Sequence, residues 1–231
     1  MIEPVYVVPR TGVPPEGAGL WDGPSWGRVA SLEVAHFHAR SSVHRPVTRV
    51  KLQHDDDRLF ALFVVNDRYV RSVHTEYESD TCKDSCVELF LQPDERRGYL
   101  ALEVNCGGTF SFRHIEDWTR TPDRFARWRP VEAGAAARVE VARSMPAVVE
   151  PELTVPVDWW IELMVPLDVI DAHFGSVRPL GGRSWRANAF KCGDETSHPH
   201  WASWAPIGEA LNFHQPQYFG TFSFASGPAR S

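Results

Sequence analysis

The sequence has no run of about 18 apolar residues, so nothing in it reads as a membrane-spanning helix. It has no Lys/Arg cluster and no basic stripe, and its net charge is −6. That balance argues against a nucleic-acid partner or an anionic membrane surface. The opening residues, Met1-Ile2-Glu3-Pro4, lack both a basic start and an apolar core, so no signal peptide is read. Cysteine is scarce. Cys82, Cys86, Cys106 and Cys192 form no CxxC pair and sit at no zinc-type histidine spacing. They read as small buried thiols in a reducing compartment, which favours the cytoplasm. There is no nucleophile elbow, no HExxH and no glycine-rich phosphate loop. Nor is there an internal repeat, a low-complexity tract or a linker that would divide the chain. Residues 1–231 are therefore expected to form one domain, with a flexible tail over 226–231.

What is present is sufficient for a core. The chain has 231 residues, 43% of them hydrophobic, and a β-sandwich of this length needs no disulfide or metal staple. The nine tryptophans are a conspicuous excess. Tryptophan packs cores, but its face also stacks on sugar rings.

Residues 1–27 are rich in Pro and Gly and read as an extended arm, with Trp21 and Trp26 as its anchors. Strand-like runs follow at 47–53 and 59–65, joined by the polar turn His54-Asp55-Asp56-Asp57. Further runs lie at 87–91, 99–105, 109–113, 137–142, 159–165, 185–190 and 219–224. Residues 166–171 are the one helix-like turn, with Pro166 early and Gly175 beyond its end. About ten short strands with almost no helix predict an all-β, jelly-roll-like β-sandwich of two antiparallel sheets.

Two strands carry a mixed pattern. In Cys86-Val87-Glu88-Leu89-Phe90-Leu91, alternation puts Val87, Leu89 and Leu91 on the core face and Glu88 on the other. In Leu102-Glu103-Val104-Asn105, Glu103 and Asn105 oppose Leu102 and Val104. If the strands are neighbours, Glu88, Glu103 and Asn105 share one polar face, which is either solvated surface or a site. Arg186 and Asn188 share a face in the run 185–190, and Lys191, Asp194 and Glu195 are placed on the loop after it. Aromatic residues beside amides and charges suit a pyranose, which offers an apolar face and equatorial hydroxyls.

Four stretches, taken in order, resemble carbohydrate-binding module family 9, closest to its stand-alone bacterial type. They are Asp84-Ser85-Cys86-Val87-Glu88-Leu89-Phe90; Glu103-Val104-Asn105-Cys106-Gly107-Gly108-Thr109; Asn188-Ala189-Phe190-Lys191-Cys192-Gly193-Asp194; and Ser203-Trp204-Ala205-Pro206 followed by Phe213-His214-Gln215-Pro216. The resemblance runs from about Trp21 to Phe224. It implies a β-sandwich that binds a sugar, in a family linked to polysaccharide breakdown outside the cell. It also implies sugar contacts from Glu88, Asn105 and Asn188. Where family members clamp a terminal sugar between two tryptophans, this chain has Cys82 and Lys191, and Glu103 stands where those members carry an arginine. The expected binding set is therefore Cys82, Glu88, Glu103, Asn105, Asn188 and Lys191. Trp204, or alternatively Trp118 or Trp201, would supply stacking from another loop.

No cofactor is expected. Some relatives hold structural calcium, and Asp55, Asp56 and Asp57 offer oxygen ligands, but three such residues in a hairpin read more simply as a turn. Two other functions fit the same residues. Glu88 and Glu103 form a carboxylate pair of the kind glycosidases use, if their spacing and exposure allow it. Alternatively the sandwich is a structural or sensing scaffold, since a fold does not fix a function.

Overall fold

In a computed structural model, which describes residues 3–122 and 124–227, the alternating runs become strands stacked in two principal layers. In chain order the elements are β1 (Val5–Val8), β2 (Leu32–Glu33), β3 (His36–Phe37), β4 (Val47–His54), β5 (Arg58–Asp67) and β6 (Val70–Ser72). Then come β7 (Cys86–Gln92), β8 (Tyr99–Asn105), β9 (Phe110–Arg120), β10 (Phe125–Pro130), α1 (Ala133–Ala136), β11 (Glu140–Arg143) and β12 (Val149–Leu153). The chain closes with β13 (Val157–Pro166), α2 (Leu167–Phe174), β14 (Ser184–Cys192), β15 (Trp201–Ser203) and β16 (Gly220–Phe224).

A nine-stranded sheet runs β1-β16-β14-β7-β8-β9-β10, with β15 and β3 attached through β14. A five-stranded sheet runs β11-β13-β5-β4-β2. Between them lies the main core. Val87, Leu89, Leu100 and Leu102 of the large sheet share one buried cluster with Leu52, Phe63, Ile161 and Leu163 of the small one. Each such side chain contributes about 1.5–3 kcal/mol by leaving water. The β-sandwich expected from the pattern is the fold observed.

Several details depart from the sequence reading. The sheets are not purely antiparallel, because β1 pairs with β16 in parallel, and β6 and β12 form a small third sheet. The run at 137–142 is split between the turn that follows α1 and β11. α2 extends to Phe174 and stops at Gly175, whose φ of 75° suits glycine. Gly98 joins β7 to β8 at φ 79°, and a Cβ there would lie 1.9 Å from the Ile115 carbonyl oxygen. Only glycine allows that approach.

Of the expected N-terminal arm, Val5–Val8 form β1 of the large sheet, and the stretch that carries Trp21 and Trp26 lies over the outer face of the small sheet. Trp26 is buried with Phe60 and Leu62, and its indole donates to Glu162 Oε1 at 3.3 Å. Lys51 donates to the carbonyls of Trp21 and Trp26, both at 2.9 Å. In the hairpin at 54–58, Asp55 accepts from Arg58, while Asp56 pairs with Arg10 and Asp57 with Arg178. Of the expected tail, residues 228–231 lie outside the described residues.

Lys191 corrects the sequence reading most sharply. β14 continues to Cys192, so Lys191 sits in a strand rather than a loop, with its side chain on the core side. Its ammonium donates to His200 Nε2 at 2.7 Å and to the Cys192 carbonyl at 2.9 Å, and lies 3.5 Å from Asp67 Oδ2. Asp67 also bonds to His44 Nε2 at 2.7 Å and accepts from the Trp159 indole at 3.1 Å. Because His200 Nε2 must accept, its Nδ1–H donates to the His198 carbonyl and the ring is neutral.

Burial, and then the facing Lys191, push His200 down to about 3. In the unfolded chain it titrates near 6.5. Between those values the unfolded state holds a proton that the folded state does not, so stability falls as pH falls. We expect a loss of roughly 1 kcal/mol per pH unit below about pH 6.5. Urea unfolding at a series of pH values measures this slope. In His200→Gln, which keeps an acceptor for Lys191, the slope should flatten; an unchanged slope would refute the assignment.

Candidate functional site

The large sheet buries its second face too. Phe90, Tyr99, Ile115 and Phe190 point away from the main core and form a separate cluster with Phe125, Phe213 and Phe219. The β9–β10 hairpin and the loop 205–219 supply those last three and cover this face. Between cover and sheet remains a cavity of about 330 Å³, within the size range of small-molecule sites.

Strand register builds its floor. Glu88 of β7 lies directly opposite Phe190 of β14 and Glu103 of β8, and Glu103 lies opposite Ser111 of β9. Side chains at opposed positions share a face, so Glu88 and Glu103 stand side by side. Glu103 accepts from Ser111 Oγ at 3.2 Å and lies 3.5 Å from Arg113 Nη1. Arg113 also pairs with Glu78 at 2.7 Å. Glu88 is nearly sealed and accepts from the Cys192 thiol at 3.2 Å. Burial, then the neighbouring Glu103, push the Glu88 carboxyl well above its usual range. Burial raises Glu103 as well, while Arg113 and Ser111 oppose the shift.

The rim mixes rings with hydrogen-bonding groups. The Trp201 indole donates to Asp194 Oδ1 at 2.7 Å, and burial raises Asp194 to about 6. Arg120 donates to Asn212 at 2.7 Å and lies over the Phe125 ring. His214 pairs with the Tyr99 hydroxyl at 2.9 Å. Burial and then Arg120 hold His214 well below its usual value, so it is neutral. Phe213 stacks on Phe190 with centroids 4.2 Å apart.

Of the seven residues expected to bind the sugar, with Trp204 as the stacking ring, Cys82, Glu88 and Glu103 come together in the lining of this cavity. The other four are placed elsewhere. Asn105 shares the sheet face, but its amide donates to the His74 carbonyl and Asp84 and accepts from Thr109 N–H. Asn188 binds both the N–H and the carbonyl of Ala205 and accepts from its own neighbour Ala189. Lys191 lies on the core side, as described. Trp204 packs within the main core against Phe222, whereas Trp201 reaches the cavity.

Sequence reasoning missed the arginines of the cavity. Arg113 was legible in principle, because Ser111 and Arg113 alternate with the core residues Phe110 and Phe112. Arg120 and Phe125 carry no such signal, since a hairpin folding back across the sheet brings them in. Glu88 and Glu103 are opposed neighbours on one sheet face, each only 3% exposed, whereas the acid and the nucleophile or base of a glycosidase must both reach the scissile bond.

A family model described as carbohydrate-binding family 9 matches residues 26–224. No curated protein is significantly similar to the chain in sequence. Among solved structures, a Bacteroides uniformis protein provisionally described as carbohydrate-binding superposes with a TM-score of 0.83 at 24% identity, over 96% of this chain and 100% of that one. A family 9 carbohydrate-binding module from Caldicellulosiruptor kristjanssonii, solved with glucose, gives a TM-score of 0.64 at 16% identity, covering 99% and 97% of the two chains. Its cellotriose complex gives 0.65 at 17% identity, covering 99% and 95%. At these identities the likeness is one of fold.

Proposed function

Since the chain belongs to carbohydrate-binding family 9, we propose that the sugar it binds occupies the cavity between the large sheet and the loop 205–219. The observation that carries this reading is the cavity's chemistry: aromatic faces beside charged and amide groups, in a space sized for a small ligand. Asp194, Glu103 and Asn212 offer acceptors, the arginines offer donors, and Trp201 presents an indole at the rim. With Cys82 in place of a clamp tryptophan, charged groups supply more of the recognition than stacking does. Glucose and short β-glucans are the natural first ligands to try, because the Caldicellulosiruptor module was solved with glucose and cellotriose. Among the described residues, no helix is long and apolar enough to cross a membrane. The four free thiols fit a reducing compartment.

Isothermal titration against a panel of mono- and oligosaccharides tests the proposal. At least one sugar should give saturable heat, and Trp201→Ala should weaken it about tenfold or more by removing a stacking surface and freeing Asp194. Silence across a broad panel, or full affinity in Trp201→Ala with every sugar that binds, would place recognition elsewhere.

A further inference from the structure

The cavity floor holds a second arrangement that sugar binding does not explain. Cys86 of β7 and Cys192 of β14 are directly opposed across the two strands. Glu88, two positions along β7, shares their face. One ligand atom from each of the three lies within 4.8 Å of the other two. Both thiols are free. Cys192 and Glu88 line the cavity, so the cluster opens onto space a ligand can enter.

This is a donor set in search of a cation. Glu88 is a buried carboxylate with no Lys, Arg or His nitrogen within 4.0 Å among the described residues, and its one hydrogen bond comes from a thiol. A buried carboxyl without a cation or several hydrogen bonds keeps its proton, which a bound metal ion displaces. Two sulfurs and one carboxylate oxygen select borderline-soft divalent ions such as zinc, and disfavour calcium and magnesium, which take oxygen shells. The spacing agrees. Bond lengths of about 2.3 Å to sulfur and 2.0–2.2 Å to oxygen put tetrahedral ligands roughly 3.5–3.8 Å apart, and the Cys192–Glu88 contact is 3.2 Å. The strands also hold the three ligands without help from a mobile loop, which lowers the ordering cost of binding.

We propose that Cys86, Cys192 and Glu88 form a three-ligand site for a thiophilic divalent cation of the zinc class, with a fourth coordination position opening into the cavity. Three protein ligands and one open position distinguish a site that engages a ligand from a closed structural one. A water or a sugar hydroxyl is the chemistry that position accepts. Two thiolates and a carboxylate leave the filled site with one net negative charge, and Arg113 on the same floor and Arg120 at the rim offset it.

Cobalt titration of the reduced full chain, without sugar, is the test. One equivalent of Co²⁺ should produce an intense thiolate-to-cobalt charge-transfer band with four-coordinate visible bands, and Zn²⁺ should displace it. X-ray absorption of the zinc form should show two sulfurs at about 2.3 Å and oxygen at about 2.0–2.2 Å. The Cys86→Ser, Cys192→Ser double variant should lose the band. Cys106→Ser should keep it, because that thiol lies in the main core. Glu88→Gln should weaken cobalt binding at least tenfold. No charge-transfer band in the reduced wild type, a sulfur-free shell, or a band that survives in the double variant would overturn the proposal. The wild-type spectra decide it even if the double variant does not fold. As no sugar is present, failure here leaves the sugar reading standing.

Discussion

Lys191→Ala is expected to cost about 3–5 kcal/mol of stability, close to the whole margin of many domains. Lys191 and Asp67 are both fully sealed between the sheets, with side chains 0% exposed. Removing the ammonium deprives Asp67 of its closest formal cation, leaves the Cys192 carbonyl and His200 Nε2 without their donor, and opens a void. Breaking one side of a buried pair is costly because the remaining charge stays in a medium that solvates it poorly. The double variant Lys191→Met, Asp67→Asn should recover much of the loss, because no charge is then stranded. Urea unfolding of the wild type, both single variants and the double variant gives the coupling directly. A loss below about 1 kcal/mol for Lys191→Ala, or strict additivity, would refute this account. Were Lys191 a sugar ligand instead, the variant would stay stable and lose affinity.

Asn188→Ala is expected to cost about 3 kcal/mol, because three backbone groups lose their partner: the N–H of Ala189 and both the N–H and the carbonyl of Ala205. Each buried group left unpaired costs about 1–3 kcal/mol. Ala205 begins the loop 205–219 that covers the cavity, so Asn188 is the peg that fixes one end of that cover to β14. Sugar affinity should fall with it, but only as a consequence. The discriminating readout is the melting temperature without sugar, which drops substantially if Asn188 is structural and stays put if it is a ligand contact. Asn188→Asp keeps the acceptor but sets a buried carboxylate against the Ala205 carbonyl, so its loss of stability should shrink as pH falls and the protonated carboxyl regains a donor.

These two residues mark where the sequence stops being legible. The sandwich followed from alternation, because Val87, Leu89 and Leu91 against Glu88 can be satisfied only by a strand with one face in a core. The same alternation placed Glu88 and Glu103 on a shared face, and the register confirms them as opposed neighbours. Alternation also had the information to place Lys191 inward, two residues from Ala189, but a lysine on the core face contradicts its ordinary exposure. Only tertiary structure supplies Asp67 and His200 to meet it. Asn105 and Asn188 look like ligand groups in sequence because an amide suits a hydroxyl. The backbone turns that consume both amides are invisible until the chain folds. Arg120 and Trp201 reach the cavity through a hairpin and a three-residue strand whose positions no local pattern encodes.

The parallel pairing of β1 with β16 sets how the domain would bear load. Val5 lies beside Thr221 and Val8 beside Phe224, so the strands nearest the two chain ends run side by side in one direction. Tension applied between those ends pulls the strands past each other lengthwise. The hydrogen bonds of the pair are then strained together, rather than opened one at a time as when a hairpin is peeled apart. The edge strand that closes the large sheet is thereby also a mechanical clamp, stiffest along the line on which any attachment through the termini would pull.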